Sequence, residues 1–105
     1  MTEYIPHRWM IIKIDRPNDP HYRVFGSWFG GYLHGDSWRM NSGITKIEKD
    51  GDEILFHGAT GSVYRCHKDS YGANSYGYSV IESMVKDHPD TIKPLYEKPD
   101  LETLL

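Results

Sequence analysis

The chain has 105 residues, a length that fits one domain with one modest hydrophobic core. Its formal net charge is −3 and 38% of its residues are hydrophobic, so composition argues against extended disorder and against non-specific nucleic-acid binding. It contains no apolar run of about 18 residues and no signal-peptide pattern at its start, which predicts a cytoplasmic protein that does not enter a membrane. We expect a single domain over residues 1–105.

The first predicted strand covers residues 8–14, where aromatic and β-branched residues are concentrated. Met10, Ile12 and Ile14 share one face, while Trp9 and Ile11 share the other. Two apolar faces are typical of a central strand, or of a strand whose second face is covered by the C-terminal part of the chain or by a partner. This second alternative raises the possibility of a homo-oligomer.

Further strands are predicted at residues 22–29, with a bulge at Gly26, and at residues 38–48, with an interruption near residues 41–43. The dipeptide Asp50-Gly51 predicts a two-residue type I′ hairpin that places Ile47 opposite Ile54. A second turn at residues 58–61 places Phe56 opposite Val63 and completes a meander.

Beyond residue 70 the apolar residues change to a helical period, with Tyr76, Val80 and Met84 on one stripe. The helix begins either at a capping box formed by Ser79 and Glu82 or at an earlier cap, Asn74 or Ser75, and Pro89 ends it. We therefore predict an α+β fold: an antiparallel meander of about five strands, one main C-terminal helix packed on it, and an extended tail over residues 90–105 that docks on the rest.

Catalytic and metal-binding patterns are weak. The lone cysteine, Cys66, is followed by His67, but neighbouring residues of a strand point to opposite faces and cannot form a dyad. The six histidines lack the close spacing that is typical of a metal site. We expect no catalytic residue, no metal and no cofactor, and leave open whether the chain is an enzyme.

Two segments have the composition of an anion-binding loop. Residues 58–62 lack a following Gly-Lys-Ser/Thr and lie between strands, which favours a hairpin turn. The start of the helix, in residues 70–79, offers free backbone N–H groups and is the better anion site.

The remaining signal is a set of aromatic and basic residues that are close in sequence. Flat rings beside guanidinium groups hold a nucleobase by stacking and a phosphate by charge-assisted bonds, or anchor a protein partner. The candidate residues for binding a ligand or partner are Arg23, Trp28, Trp38, Arg39, Tyr64, Arg65, His67, Tyr71, Tyr76 and Tyr78.

In size, acidity and lack of catalytic motifs, the chain resembles the small proteins of phages and mobile elements. That resemblance implies a non-enzymatic binding protein, which either inhibits a host protein or sequesters a nucleotide-like small molecule. One alternative is a small enzyme or nucleic-acid-processing factor that uses His57, Tyr64, Arg65 and His67. A second alternative is a structural or accessory protein of a virion.

Overall fold

The computed structural model describes residues 2–30 and 35–105. The loop predicted after the second strand falls partly on residues 31–34, outside the described residues. The α+β class is confirmed, and the strands of the described residues are divided between two four-stranded sheets.

The first sheet, called the central sheet here, is antiparallel throughout. Its strands in chain order are β2 (Arg8–Ile14), β3 (His21–Trp28), β4 (Ser37–Met40) and β8 (Ile92–Leu95), and their spatial order is β4-β3-β2-β8. The second, called the outer sheet, has the order β1-β7-β6-β5, from β1 (Glu3–Tyr4), β5 (Ile44–Asp50), β6 (Glu53–Gly58) and β7 (Val63–His67). The short β1 pairs with β7 in parallel, while the other outer-sheet pairs are antiparallel.

Strand β2 contributes side chains to both hydrophobic clusters, the one between the two sheets and the one under the helix. Trp9 and Ile11 pack with Phe56 in the cluster between the two sheets, whereas Met10 and Ile12 belong to the cluster under the helix. All five side chains are 0% exposed, and burial of each large apolar side chain contributes about 1.5–3 kcal/mol. Both faces of this central strand are thus covered by other parts of the same chain.

Helix α1 covers Ser75–Asp87 and packs on the central sheet through Ile81. Asn74 is its N-cap, since the Asn74 side chain accepts a hydrogen bond of 2.6 Å from the backbone N–H of Gly77. The earlier of the two predicted starts is therefore the correct one. Ser79 lies inside the helix, where its hydroxyl donates to the carbonyl of Tyr76.

The predicted turn of the β5–β6 hairpin is displaced by one residue, which shifts the pairing of the two strands by two residues. Asp50 pairs with Glu53, so the turn consists of Gly51 and Asp52, and Ile47 faces Phe56. Gly51 has φ of 63° and Asp52 has a negative φ, the pattern of a type II′ turn and not of type I′. In the next hairpin Phe56 faces Tyr64 and not Val63.

The predicted strand over residues 38–48 is two strands in different sheets. The chain leaves the central sheet after Met40 and enters the outer sheet at Ile44, so the interruption at residues 41–43 is a crossing between layers. Gly26 is not a bulge, because it pairs with Trp9 in an unbroken register. A Cβ at Gly26 would lie 3.0 Å from the Cβ of Pro6, so glycine is needed for close packing there.

The last part of the chain lies against both sheets. Strand β8 extends the central sheet through its pairing with β2, and a 3-10 helix follows at Leu101–Leu104. Leu104 is 3% exposed and belongs to the cluster between the sheets. In the described residues, helix α1 and the terminal turn are too short or too polar to cross a membrane.

Candidate binding site

A cleft of about 770 Å³ lies between the two sheets, and we call it the arginine cleft. One wall comes from β1 and the β6–β7 turn of the outer sheet, and the other from β3, β4 and the chain that crosses between the sheets. Its lining residues are Thr2, Tyr4, Arg23, Arg39, Met40, Asn41, Ser42, Thr60, Gly61, Ser62 and Tyr64. The volume lies within the range of small-molecule sites, about 300–1,000 Å³.

Arg23 and Arg39 are both among the residues that line the arginine cleft, and no carboxylate is among its described lining residues. The strand register places Arg23 on the helix face of the central sheet and Arg39 on the opposite face, over Tyr4. Within residues 2–30 and 35–105 neither Arg23 nor Arg39 forms an ion pair, whereas Arg65 pairs with three carboxylates outside the cleft. Partial burial, and then repulsion from Arg16, lower the pKa of Arg23, although Asp19 opposes this change. A local excess of positive charge therefore exists in a protein whose formal net charge is −3.

Hydroxyl groups of the crossing segment and of the β6–β7 turn line the same cleft. The Ser42 and Thr60 hydroxyl oxygens are 3.1 Å apart, and the Thr60 backbone N–H donates to the Ser42 oxygen. Burial raises the pKa of Tyr64 to about 12, so its phenol keeps its proton at neutral pH and can act as a donor. The walls thus present donors as well as positive charge.

Asn41 is a buried residue of the same wall. The side chain is 3% exposed, and its oxygen accepts a hydrogen bond of 2.9 Å from the backbone N–H of Val24. The amide nitrogen of Asn41 has no partner among the described residues. An unpaired buried donor costs about 1–3 kcal/mol. This nitrogen has essentially no accessible surface, so it is not presented to a ligand in the cleft.

A smaller aromatic cleft of about 410 Å³ adjoins the arginine cleft. It is lined by Tyr4, Trp28, Ser37, Trp38 and Arg39. The Trp28 indole is held by a hydrogen bond of 2.9 Å to the carbonyl of Ile5, and the Trp38 ring stacks on Phe25 with centroids 5.3 Å apart. Tyr4 and Arg39 belong to both clefts, and the Arg39 guanidinium carbon lies 4.6 Å from the Tyr4 ring centroid. Charged and aromatic surfaces therefore meet at one residue pair.

Five of the ten predicted site residues lie in these two clefts. Arg23, Arg39 and Tyr64 line the arginine cleft, and Trp28 and Trp38 line the aromatic cleft together with Arg39. Trp28, Arg39 and Tyr64 lie on the faces that the two sheets turn toward each other. The strand register places Arg23 and Trp38 on the helix face of the central sheet.

Two of the other candidates lie on the outer sheet, away from both clefts. Arg65 donates to Glu3, Asp50 and Glu53. His67 is exposed, and its Nδ1 accepts from the backbone N–H of Asp69 at 3.1 Å.

The other three are in or near the helix start. The Tyr71 hydroxyl donates to the carbonyl of Leu95 and accepts from the N–H of Ile11, which ties this loop to the central sheet. Burial raises the pKa of Tyr71 to about 12. Tyr76 and Tyr78 are 42% and 37% exposed. In this segment the Asn74 side chain already accepts from a helix N–H group.

The residues of the predicted enzyme alternative do not share a pocket. His57 bonds to Glu48 at 2.7 Å near one end of β6, while His67 faces Glu53 at the other end. Cys66 faces Ile54 on the buried side of the outer sheet, and burial raises the pKa of its thiol. Across the described ranges, no three His, Cys, Asp or Glu side chains are grouped closely enough to hold a metal ion.

Most residues of the arginine cleft were not predicted from the sequence. Tyr4 and Asn41 carry no motif, and Ser42, Thr60 and Ser62 read as ordinary turn residues. Residues 58–62 do form a hairpin turn, yet part of that turn also lines the cleft. The one available signal was the recurrence of hydroxyl residues in both turns, at Ser42 and at residues 60–62.

Comparisons with protein families, with curated proteins and with solved structures found no match to this chain.

Proposed function

We propose that the chain is a non-enzymatic binding protein that sequesters a nucleotide-like small molecule across the two clefts. The observation that carries the proposal is the Arg39–Tyr4 pair, which belongs to the cationic cleft and to the aromatic cleft at once. A ligand with an anionic group and a flat ring needs these two surfaces side by side.

The anionic end of the ligand would lie in the arginine cleft. Arg39 supplies charge there without a competing carboxylate among the described lining residues, and Thr60 supplies a hydroxyl. Guanidinium groups favour phosphate oxygens because they donate several hydrogen bonds from a rigid plane.

The flat end would lie against the rings of the aromatic cleft. The Trp28 indole is held by its hydrogen bond to Ile5, so little rotamer freedom would be lost on binding. Stacking of a nucleobase on such a ring contributes about 1–3 kcal/mol. The Trp38 ring lies on the other face of the central sheet, where it stacks on Phe25.

We propose binding without catalysis, because the side chains that could act as a base or a nucleophile lie outside the two clefts. His57 is engaged with Glu48 and Cys66 is buried in the cluster between the sheets. The role as a phage-type inhibitor of a host protein stays a prediction. A pull-down from host lysate with and without added nucleotide would test it.

The test is a thermal-shift screen with nucleoside 5′-monophosphates, followed by titration calorimetry of each nucleotide that raises the Tm. A ligand at 100 times its Kd stabilises the folded state by about 2.7 kcal/mol. Arg39→Gln should weaken binding by about tenfold or more, since it removes a charge-assisted bond and the cation shared by both clefts.

The matched control is Lys93→Gln, which also removes one positive charge. Lys93 is exposed on β8, lies opposite Lys13 and lines neither cleft. Equal losses of affinity in the two variants would mean that only the net charge of the protein matters, and would contradict the proposed site.

A further inference from the structure

The outer edge of strand β4 has no partner strand within residues 2–30 and 35–105. We infer that this edge accepts an extended segment of a partner protein as a fifth, antiparallel strand, and that the segment carries an acidic residue between two apolar ones. In this mode of recognition, main-chain hydrogen bonds supply the affinity and alternate side chains supply the specificity. Such binding is a second activity beside the proposed nucleotide binding, and both would use Arg39.

The backbone groups that face outward on β4 follow from its pairing with β3. The N–H of Asn41 donates to the carbonyl of Val24 at 3.0 Å, so these two residues form a hydrogen-bonded pair. Hydrogen-bonded pairs recur at every second residue of an antiparallel ladder, which makes Arg39 the next residue that bonds to β3. The N–H and C=O groups of Trp38 and Met40 therefore point away from β3, toward an added strand.

The other three sheet edges of the described residues are less suited to such an addition. Strand β1 has two residues, and β8 contains Pro94, which has no N–H to donate. Strand β5 is longer but has exposed Lys46 and Lys49, and charged residues on an edge oppose the addition of a strand. Strand β4 has neither proline nor lysine, and its Trp38 is 38% exposed.

The side chains of β4 define what the added strand would carry. Trp38 and Met40 lie on the helix face, where the Trp38 ring stacks on Phe25 and Met40 packs against the same cluster. Residues directly opposite them would be apolar or aromatic. Arg39 lies on the face toward the outer sheet, over Tyr4, and forms no ion pair within the described residues. The residue opposite Arg39 would therefore be Asp or Glu.

A second copy of the chain fits this edge less well than a foreign segment. Antiparallel pairing that uses the outward groups of both Trp38 and Met40 places Trp38 opposite Met40 of the second copy. Arg39 then faces Arg39 of the second copy, and like charges directly opposite each other are destabilising. An acidic residue in a foreign segment converts that repulsion into attraction.

The experiment uses the full chain, isotope-labelled, and the peptide Ac-Ser-Thr-Phe-Glu-Phe-Thr-Ser-NH2, whose Glu is placed to face Arg39. Hydrogen exchange of the backbone amides is followed by NMR without and with the peptide. In the free protein the amide of Arg39 should exchange slowly and those of Trp38 and Met40 rapidly, because only Arg39 is bonded to β3. Saturating peptide should slow exchange at Trp38 and Met40 by about tenfold or more.

Two matched peptides and one variant separate strand addition from other kinds of binding. Methylation of the two Phe nitrogens removes the N–H groups that pair with the carbonyls of Trp38 and Met40, and should weaken binding by about tenfold or more. A peptide with Lys in place of Glu should bind about tenfold more weakly. Arg39→Glu should reverse the preference between the Glu and Lys peptides, and that reversal compares two peptides on one variant.

Equal affinity for the methylated and unmethylated peptides, or no binding of the Glu peptide at millimolar concentration, would overturn the inference. It would also be overturned if the amides of Trp38 and Met40 exchanged slowly in the free protein, and more slowly as the protein concentration rises. That result would indicate pairing between two copies.

Discussion

The Arg39 guanidinium carbon lies 4.6 Å from the centroid of the Tyr4 ring, and this pair joins two strands that belong to different sheets. Tyr4 in turn contacts Tyr64, with ring centroids 5.1 Å apart, and meets Trp28 edge-on at 6.5 Å. The Arg39 guanidinium is thus held where the two clefts meet by its contact with the Tyr4 ring. Within the described residues it forms no ion pair.

The stacking contact predicts that charge alone will not replace Arg39. Arg39→Lys keeps the positive charge but loses the planar fork that lies over Tyr4 and donates in parallel to phosphate oxygens. We expect a loss of affinity for a 5′-monophosphate of about three- to tenfold, smaller than that of Arg39→Gln. Calorimetry of the two variants side by side gives the comparison. A lysine variant that binds as tightly as the wild type would show that the stack has no role.

Helix α1 depends on its N-cap. Asn74→Ala removes the acceptor for the Gly77 N–H and the donor to the carbonyl of Trp28. We expect the free energy of unfolding to fall by about 0.5–2 kcal/mol, as for other lost caps. Urea denaturation measures this, with Ser75→Ala at an exposed neighbouring position as the control. A loss of similar size in the control would remove the special role of Asn74.

The hairpin between β5 and β6 depends on Gly51. Its φ of 63° is a conformation that residues with a Cβ rarely adopt, so Gly51→Ala should reduce the free energy of unfolding by about 1 kcal/mol. Asp52→Ala, at the next turn position, should have a smaller effect because Asp52 has a negative φ. Chemical denaturation of both variants decides the turn type. A greater loss for Asp52→Ala would contradict the type II′ assignment.

The thiol of Cys66 should be unreactive in the folded protein. It is 0% exposed, and burial raises its pKa, so the thiolate that reacts with alkylating reagents is scarce at any pH where the fold is stable. Iodoacetamide labelling at pH 8, followed by intact-mass measurement, should show little modification without denaturant and full modification in urea. Rapid labelling of the native protein would contradict this burial.

These features differ in how far the sequence could predict them. The two apolar faces of β2 and the helical stripe of Val80 and Met84 are local periodicities, and both predicted the correct element. The hairpin was misplaced because Asp50-Gly51 and Gly51-Asp52 both allow a two-residue turn, and only the pairing with β6 decides between them.

The division into two sheets and the clefts had no local signal. Strand β1 has two residues and pairs with β7 over a long separation in sequence, so no pattern marks it as a strand. The arginine cleft combines Tyr4, Arg39 and Thr60 from three distant segments. Their meeting depends on the crossing of the chain between the sheets at residues 41–43.

The most direct test of the two-cleft site uses the three tryptophans as reporters in an NMR titration with a nucleoside 5′-monophosphate. Trp28 lines the aromatic cleft, and the Trp38 ring stacks on Phe25 on the helix face of the central sheet. Trp9 is 0% exposed, and its indole N–H donates to the carbonyl of His67 at 2.7 Å. The account predicts that the indole N–H signal of Trp28 shifts with ligand concentration while that of Trp9 stays fixed. It also predicts that Arg39→Gln moves the midpoint of the titration to ligand concentrations about tenfold higher or more. A titration that moves Trp9 alone, or none of the three, would contradict it.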